Sequence, residues 1–397
     1  MPHRFEKIEY KPIPVRELLL EMKNLSELMI DLAYSAALFN DADLAEDVLE
    51  LEAHVDTLAY LLEISIMVAA RDAKDAEDLL GVSVVASAAD KISDAAADIA
   101  AIVTQNIGVH PIVSEIFEKV EEHLMRAKVN EGSAIIGRAI GELKLAAEMG
   151  VDIIAIKRNK DWIIDPKESE KILSGDFLIA RGAPIGIDEF KNFAEGKRIK
   201  VEQLNVSKHR QRKFEEIVKR FVELKDTSEL MINLAYSALL CDSRELAEEV
   251  QKLEEYVDKL HTDFELCVLS SSFKKEETRG FLGLIRLGVA AEKIADAAAE
   301  IAEVVLRGLE PHPVLKSAIE EARETIVRAC IAANSPLINK TIREARIPEE
   351  TGMWVLAIKK GDKCMRPRSD SKIEVGDVLI ASGYAEGAED LEKLASP

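Results

Sequence analysis

The sequence predicts a multidomain α and α+β chain, built as a tandem duplication of a two-part unit. Each unit is an antiparallel three-helix bundle followed by a small α+β domain. Three observations carry this. The segment ELMIDLAYSAALFNDADLAEDVLELEAHVDTL from Glu27 returns as ELMINLAYSALLCDSRELAEEVQKLEEYVDKL from Glu229, 202 residues later. Over about 14–108, and again over about 208–310, apolar residues recur at helical spacing with almost no Gly or Pro. The texture then changes to short β-branched runs bounded by Gly, Asp and Pro, which read as strands.

Taken in order, three helices fit the first copy, roughly 14–40, 42–71 and 76–107, broken at FNDAD and RDAKDAED. The second copy breaks at CDSRE and SSFKKEE. The third helices end before GVHP and LEPHP, where Pro cannot continue a helix. VDIIAIKR, DWIIDP and FLIARG then read as strands, with short amphipathic helices at IDEFKNF and AEDLEKL. The polar run EGKRIKVEQLNVSKHRQRK, around 195–213, connects the units. The expected domains are 1–112, 113–197, 198–314 and 315–397. MGVDIIAIKR and TGMWVLAIKK keep the 202-residue offset, whereas SGDFLIARG and VGDVLIASG stand 201 apart. The missing residue is expected in a hairpin turn, RNKD against KGD.

A formal charge of −21 argues against nucleic acid or an anionic membrane surface as partner. The four cysteines lie in the second half with no CxxC, which argues against a disulfide framework. No apolar run reaches the roughly 18 residues of a membrane span, and the start MPHRFEKIEYKPIP has no apolar signal segment, so a cytoplasmic protein without membrane insertion is expected. No Glu-x-x-His pair, P-loop or GxGxxG occurs, and the two copies share no Ser/His/Asp or Cys/His constellation, so no enzyme is expected.

The chemistry concentrates in carboxylates. AADKISDAAADIA spaces acids four apart and returns as AAEKIADAAAEIA, although like charges at that spacing cost a few tenths of a kcal/mol per pair. If helices two and three fold back about a turn near Ala73, Asp56 levels with Asp90 and Glu52 with Asp94. The same construction about Lys275 levels Asp258 with Glu292 and Glu254 with Asp296. Four converging carboxylates make an all-oxygen site for a hard or borderline divalent cation such as Mg, Mn, Fe or Zn. Shared protons, or the plain solvated face of an amphipathic helix, are the alternatives.

LEAHVD with ADKISDAAADIA, and LEEYVD with AEKIADAAAEIA, resemble the three-helix repeat of the PhoU family, whose acidic motifs bind surface metal clusters. The inserted domain resembles the TrkA C-terminal (RCK C-terminal) module, through IIGRAIGELKLAAEMGVDIIAIKR and LINKTIREARIPEETGMWVLAIKK with the SGD and VGD segments that follow. That resemblance implies pairing of modules and, in several members, cyclic di-AMP at the paired cleft. By it, Arg158 would grip phosphate, Ile154 would touch a base and Pro166 would shape the cleft, with Lys360 and Pro367 as second-copy counterparts. Pairing within one chain is allowed by the duplication. Together the resemblances imply a regulatory subunit of cation, foremost potassium, transport that acts on a membrane channel or transporter. A PhoU-type phosphate-homeostasis adaptor is the alternative, and a carboxylate-metal enzyme ranks below it.

Overall fold

The computed structural model describes residues 9–110, 123–145, 149, 151–159, 161–164, 166–182, 190, 193–194, 208–271, 275–309, 324–361, 363–367 and 371–396. The first bundle is α1 (Val15–Phe39), α2 (Ala42–Ala69) and α3 (Ala73–Thr104). Both breaks act as helix caps. Asn40 turns left-handed at φ 53°, and the Asp41 carboxylate accepts from the Asp43 and Leu44 amides. Asp72 does the same for Lys74 and Asp75 at the head of α3. The first module has β1 (His123–Lys128), one turn of helix α4 (Ile140–Leu143), β2 (Val151–Arg158), β3 (Asp161–Ile164) and β4 (Phe177–Gly182).

The second bundle is α5 (Lys208–Cys241), α6 (Arg244–Leu269) and α7 (Thr278–Leu306), with a 3₁₀ turn at Lys275–Glu277. The second module has β5 (Glu324–Cys330), α8 (Ile342–Ala345), α9 (Ile347–Thr351), β6 (Met353–Lys360), β7 (Lys363–Met365), β8 (Val378–Tyr384) and α10 (Ala385–Ala395). Both sheets are antiparallel, ordered β1-β4-β2-β3 and β5-β8-β6-β7. The expected domain boundaries, and most of the helix expected at IDEFKNF, lie outside the described residues. Residues 208–213, expected in the linker, are the first turns of α5.

The place of the missing residue differs from expectation. Arg158 pairs with Asp161 and Lys360 with Lys363, so the hairpin loop is two residues in both copies and the 202 offset survives it. Asn159 and Gly361 open these loops with φ 58° and 59°. A two-residue loop fixes strand register, and losing one of its residues would turn every following side chain to the other face. The residue is lost instead beyond Ile163 and Met365, where the chain leaves the sheet and register no longer constrains it.

The strand VDIIAIKR is nearly continuous in apolar residues because both faces are covered. A bulge between Ile153 and Ala155 breaks the alternation. Val151, Ile153 and Ile156 join the module's own core, while Ile154 and Ala155 join the core of the bundles. The second copy has the corresponding bulge between Val355 and Ala357.

Two interfaces hold these parts together. α3 packs along α7, so one hydrophobic core runs through all six long helices. Lys91 meets Glu300 at 2.6 Å and Lys293 meets Asp98 at 2.8 Å across it. A Cβ on Gly283 would collide with the Gly108 carbonyl oxygen, which shows how closely α7 meets the end of the first bundle. Lys23 lies 5.1 Å from the Tyr236 ring centroid and Lys225 5.5 Å from that of Tyr34, a reciprocal pair expected of pseudo-twofold symmetry. Among the described residues each module has its own core, and the extensive pseudo-twofold contact is made by bundles rather than by the expected pairing of modules.

The second interface docks each sheet on its bundle. Lys157 reaches Asp47 and Glu50 at 2.6 Å, and Arg126 reaches Asp47 and Asp43 at 3.0 Å. The second copy repeats this with Lys359 on Glu249 at 2.6 Å and Arg328 on Glu245. Asp47 is 2% exposed, and burial pushes its carboxyl up against the downward pull of Lys157 and Arg126. Breaking a buried pair strands its partner at a cost of about 3–5 kcal/mol. Because Arg126 stays on Asp47, Lys157→Met is expected to destabilise the protein by about 3 kcal/mol in urea unfolding, at the low end of that range. A loss below ~0.5 kcal/mol, the scale of a surface pair, would show that the sheet is held by apolar contact alone.

Candidate metal centres

On α2 and α3, carboxylate oxygens of Glu52, Asp56 and Asp94 all lie within 4.8 Å of one another. Glu254, Asp258 and Asp296 do the same on α6 and α7. Both groups sit at the bundle surface, since the apolar residues of α3, among them Ile92, Ile99 and Val103, face inward and are buried. The expected set of four is thus corrected to three in each bundle. The levelling construction assumed a symmetric turn about Ala73, but α2 ends at Ala69 and the connection is extended at Ala70 and Asp72. Asp90 and Glu292 fall outside the groups.

Asp90 nonetheless feels the cluster. Burial, then Asp94, Asp56 and Glu63, push its carboxyl up to about 6, and its Oδ1 is buried without a hydrogen-bond partner among the described residues. Burial and the acids Glu292, Asp258, Glu254 and Glu300 push Asp296 up to about 6 as well. Asp94 is raised by burial and by Asp56 and Asp98, and Glu254 by burial and by Asp258, Glu255 and Glu292. A concentration of oxygen donors that push one another's carboxyls up fits a hard divalent cation. The third acid of each stripe has another task, because Asp98 and Glu300 are the α3–α7 ion pairs described above.

The expected ligand residues are distributed differently. Ile154 is 8% exposed and packs against the bundles, so the sheet face it occupies is covered. Arg158 donates to both oxygens of Asp176 at 3.0 and 2.9 Å, to Glu170 at 2.9 Å and to the Lys171 carbonyl at 2.7 Å. Lys360 meets Asp377 at 2.9 Å and Glu374 at 2.8 Å. Asp176 and Asp377 also accept from the Leu173 and Glu374 amides, closing the turn before β4 and β8. These two bases therefore staple a strand end to the turn of the GD segment. Pro166 and Pro367 follow β3 and β7, half-buried. The ion pairs from strand to α2 were missed by sequence reasoning, although Lys157 with Asp47 and Lys359 with Glu249 keep the repeat offset.

The PhoU domain model matches residues 19–103 and 221–305, and the TrkA-C domain model matches 124–194 and 326–396. Protein YrvC of Bacillus subtilis is 33% identical over 114 residues, which are 27% of this chain and 69% of that protein. The chain is a tandem PhoU and TrkA-C domain protein. Potassium channel protein 1 of Methanocaldococcus jannaschii is 42% identical to the tandem chain over 77 residues, 19% of this chain. Ktr system potassium uptake protein C of Bacillus subtilis is 33% identical over 103 residues, 26% of this chain. The tandem chain spans 22% of the length of the former and 46% of the latter. The crystal structure of PhoU from Pseudomonas aeruginosa aligns with 74% of this chain and 96% of its own, at 16% identity and a TM-score of 0.41.

The raised carboxyls set a pH dependence. Between their ordinary value of 3.8 and about 6, the folded metal-free state holds protons that the unfolded chain has released, so their contribution to stability falls as pH rises through that window. Asp90→Asn with Asp296→Asn removes this loss. The variant's melting temperature is expected to pull ahead of wild type by several degrees between pH 4 and 6.5 in chelator-treated protein. A constant gap across that range would contradict the assignment.

Proposed function

We propose that this chain is a cytoplasmic regulatory subunit of potassium transport, acting on a membrane channel or transporter. The observation that carries the reading is the pair of TrkA-C modules in a chain whose relatives include a potassium channel protein and a potassium uptake protein. Each module meets its bundle through charged pairs on α2, the helix that also carries two of the three clustered carboxylates. A change at the cluster therefore has a short path to the sheet. No described helix is long and apolar enough to cross a membrane. Loss of the gene is expected to change rubidium tracer uptake and leave phosphate uptake unaltered. The reverse would favour the phosphate-adaptor reading, for which the continuous six-helix body speaks.

In this proposal Glu52, Asp56 and Asp94 hold one divalent ion, with Asp90 beside them, and Glu254, Asp258 and Asp296 hold another, with Glu292 beside them. A small ligand, cyclic di-AMP foremost, is sensed by modules paired between chains. It would have to draw Arg158 from Asp176 and Lys360 from Asp377. Metal is the more direct test. Calorimetry with Mn²⁺ and elemental analysis are expected to show at least two ions per chain, lost largely in Asp94→Asn with Asp296→Asn. Wild-type protein that takes up no ion would leave the clusters as solvated faces.

A further inference from the structure

Among the described residues several charged features occur twice: the carboxylate clusters, the sheet-to-bundle pairs and the α3–α7 bridges. The rim of one groove differs between the copies. Between α1, α2 and β3 of the first copy lies a groove of about 680 Å³. Its floor is apolar, from Leu20, Leu51, Trp162 and Ile164. Four exposed carboxylates rim it: Glu17 and Glu21 from α1, Glu50 from α2 and Asp161 from β3. His54, also on the rim, lies 2.9 Å from Glu21.

The second copy reverses the charge at three of the four rim acids and keeps Glu223 for Glu21. Lys219 stands for Glu17, Lys252 for Glu50 and Lys363 for Asp161. Tyr256 stands for His54 and bonds Glu223 at 2.5 Å, while Arg366 stands for Ile164 and is tied to Glu229. The acidic character of the first groove is therefore not a by-product of how the fold is built, because the same fold carries lysine at three of the four acidic rim positions in the second copy.

We propose that this groove docks a cationic amphipathic helical segment of a partner protein, its apolar residues on the floor and its Lys and Arg side chains at the rim. The floor requires apolar groups, and the volume far exceeds that of an ion. Helix-in-groove recognition seats side chains at i, i+3, i+4 and i+7, about two turns of one face. Glu17 and Asp161 supply the charge complementarity, with Glu50 shared with Lys157 and Glu21 with His54, and the chain's net charge of −21 steers such a segment in. The proposal does not depend on which transporter the protein serves.

The test uses the full chain with Trp354→Phe, which leaves Trp162 as the only indole. The probe is a synthetic peptide of Leu and Lys in helical amphipathic order, titrated at physiological ionic strength while Trp162 emission is read. Saturable binding with a blue shift is expected, weakened at least tenfold by Glu17→Lys with Asp161→Lys. Both changes install what the second copy already carries, so folding is expected to survive them. Glu255→Lys with Asp263→Lys changes the net charge equally at exposed positions away from the groove and is expected to leave binding within twofold. Equal weakening by both pairs would mean attraction to the global field only and would overturn the proposal. So would the absence of saturation, or an equal affinity for the same peptide with Glu replacing Lys.

Discussion

The buried carboxylate of Asp47 decides how this molecule is put together. A charge taken out of water is costly unless it is paired and hydrogen-bonded, and here two bases from one sheet, Lys157 and Arg126, do the pairing. The strand carrying Lys157 must therefore lie against α2, with its bulge turning Ile154 and Ala155 into the helical core. Once that strand is fixed, Arg158 points to the opposite face and closes on Asp176, which fixes the turn into β4. Sheet, turn and bundle follow from one ion pair and the alternation of a strand.

α2 is also where two chemistries meet. Asp47 and Glu50 serve the sheet, while Glu52 and Asp56 serve the carboxylate cluster. At 1.5 Å per residue these functions stand less than three turns apart on one helix. Binding of a divalent cation at the cluster would change the field at the Lys157 pair through partly buried protein, where charges are screened less than in water.

The helices and the strands were legible because each announces itself locally: the polar breaks FNDAD and RDAKDAED between helical runs, β-branched runs as strands, the 202-residue offset as duplication. Three of the four acids expected at each site come together as spacing predicts, but the register between helices could not be read, because it depends on an extended three-residue connection that sequence leaves open. The carboxylate partner of Arg158 was hidden for a similar reason. A guanidinium suits a phosphate or a carboxylate equally, and the Asp176 partner lies 18 residues away across a turn. The pairing of bundles was invisible too, since Lys91 and Glu300 stand 209 residues apart and look like ordinary solvated charges.

Fusing two halves into one chain changes what symmetry permits. Two identical half-length chains related by a twofold axis must present every surface feature twice. Here the halves share a core through α3 and α7, yet the groove beside α1 is rimmed by Glu17, Glu50 and Asp161 where the corresponding residues of the second copy are Lys219, Lys252 and Lys363. The assembly thus keeps the stability of a symmetric dimer and gains a front and a back. Such a body can set stoichiometry, meeting one partner on one side where a true homodimer would recruit two.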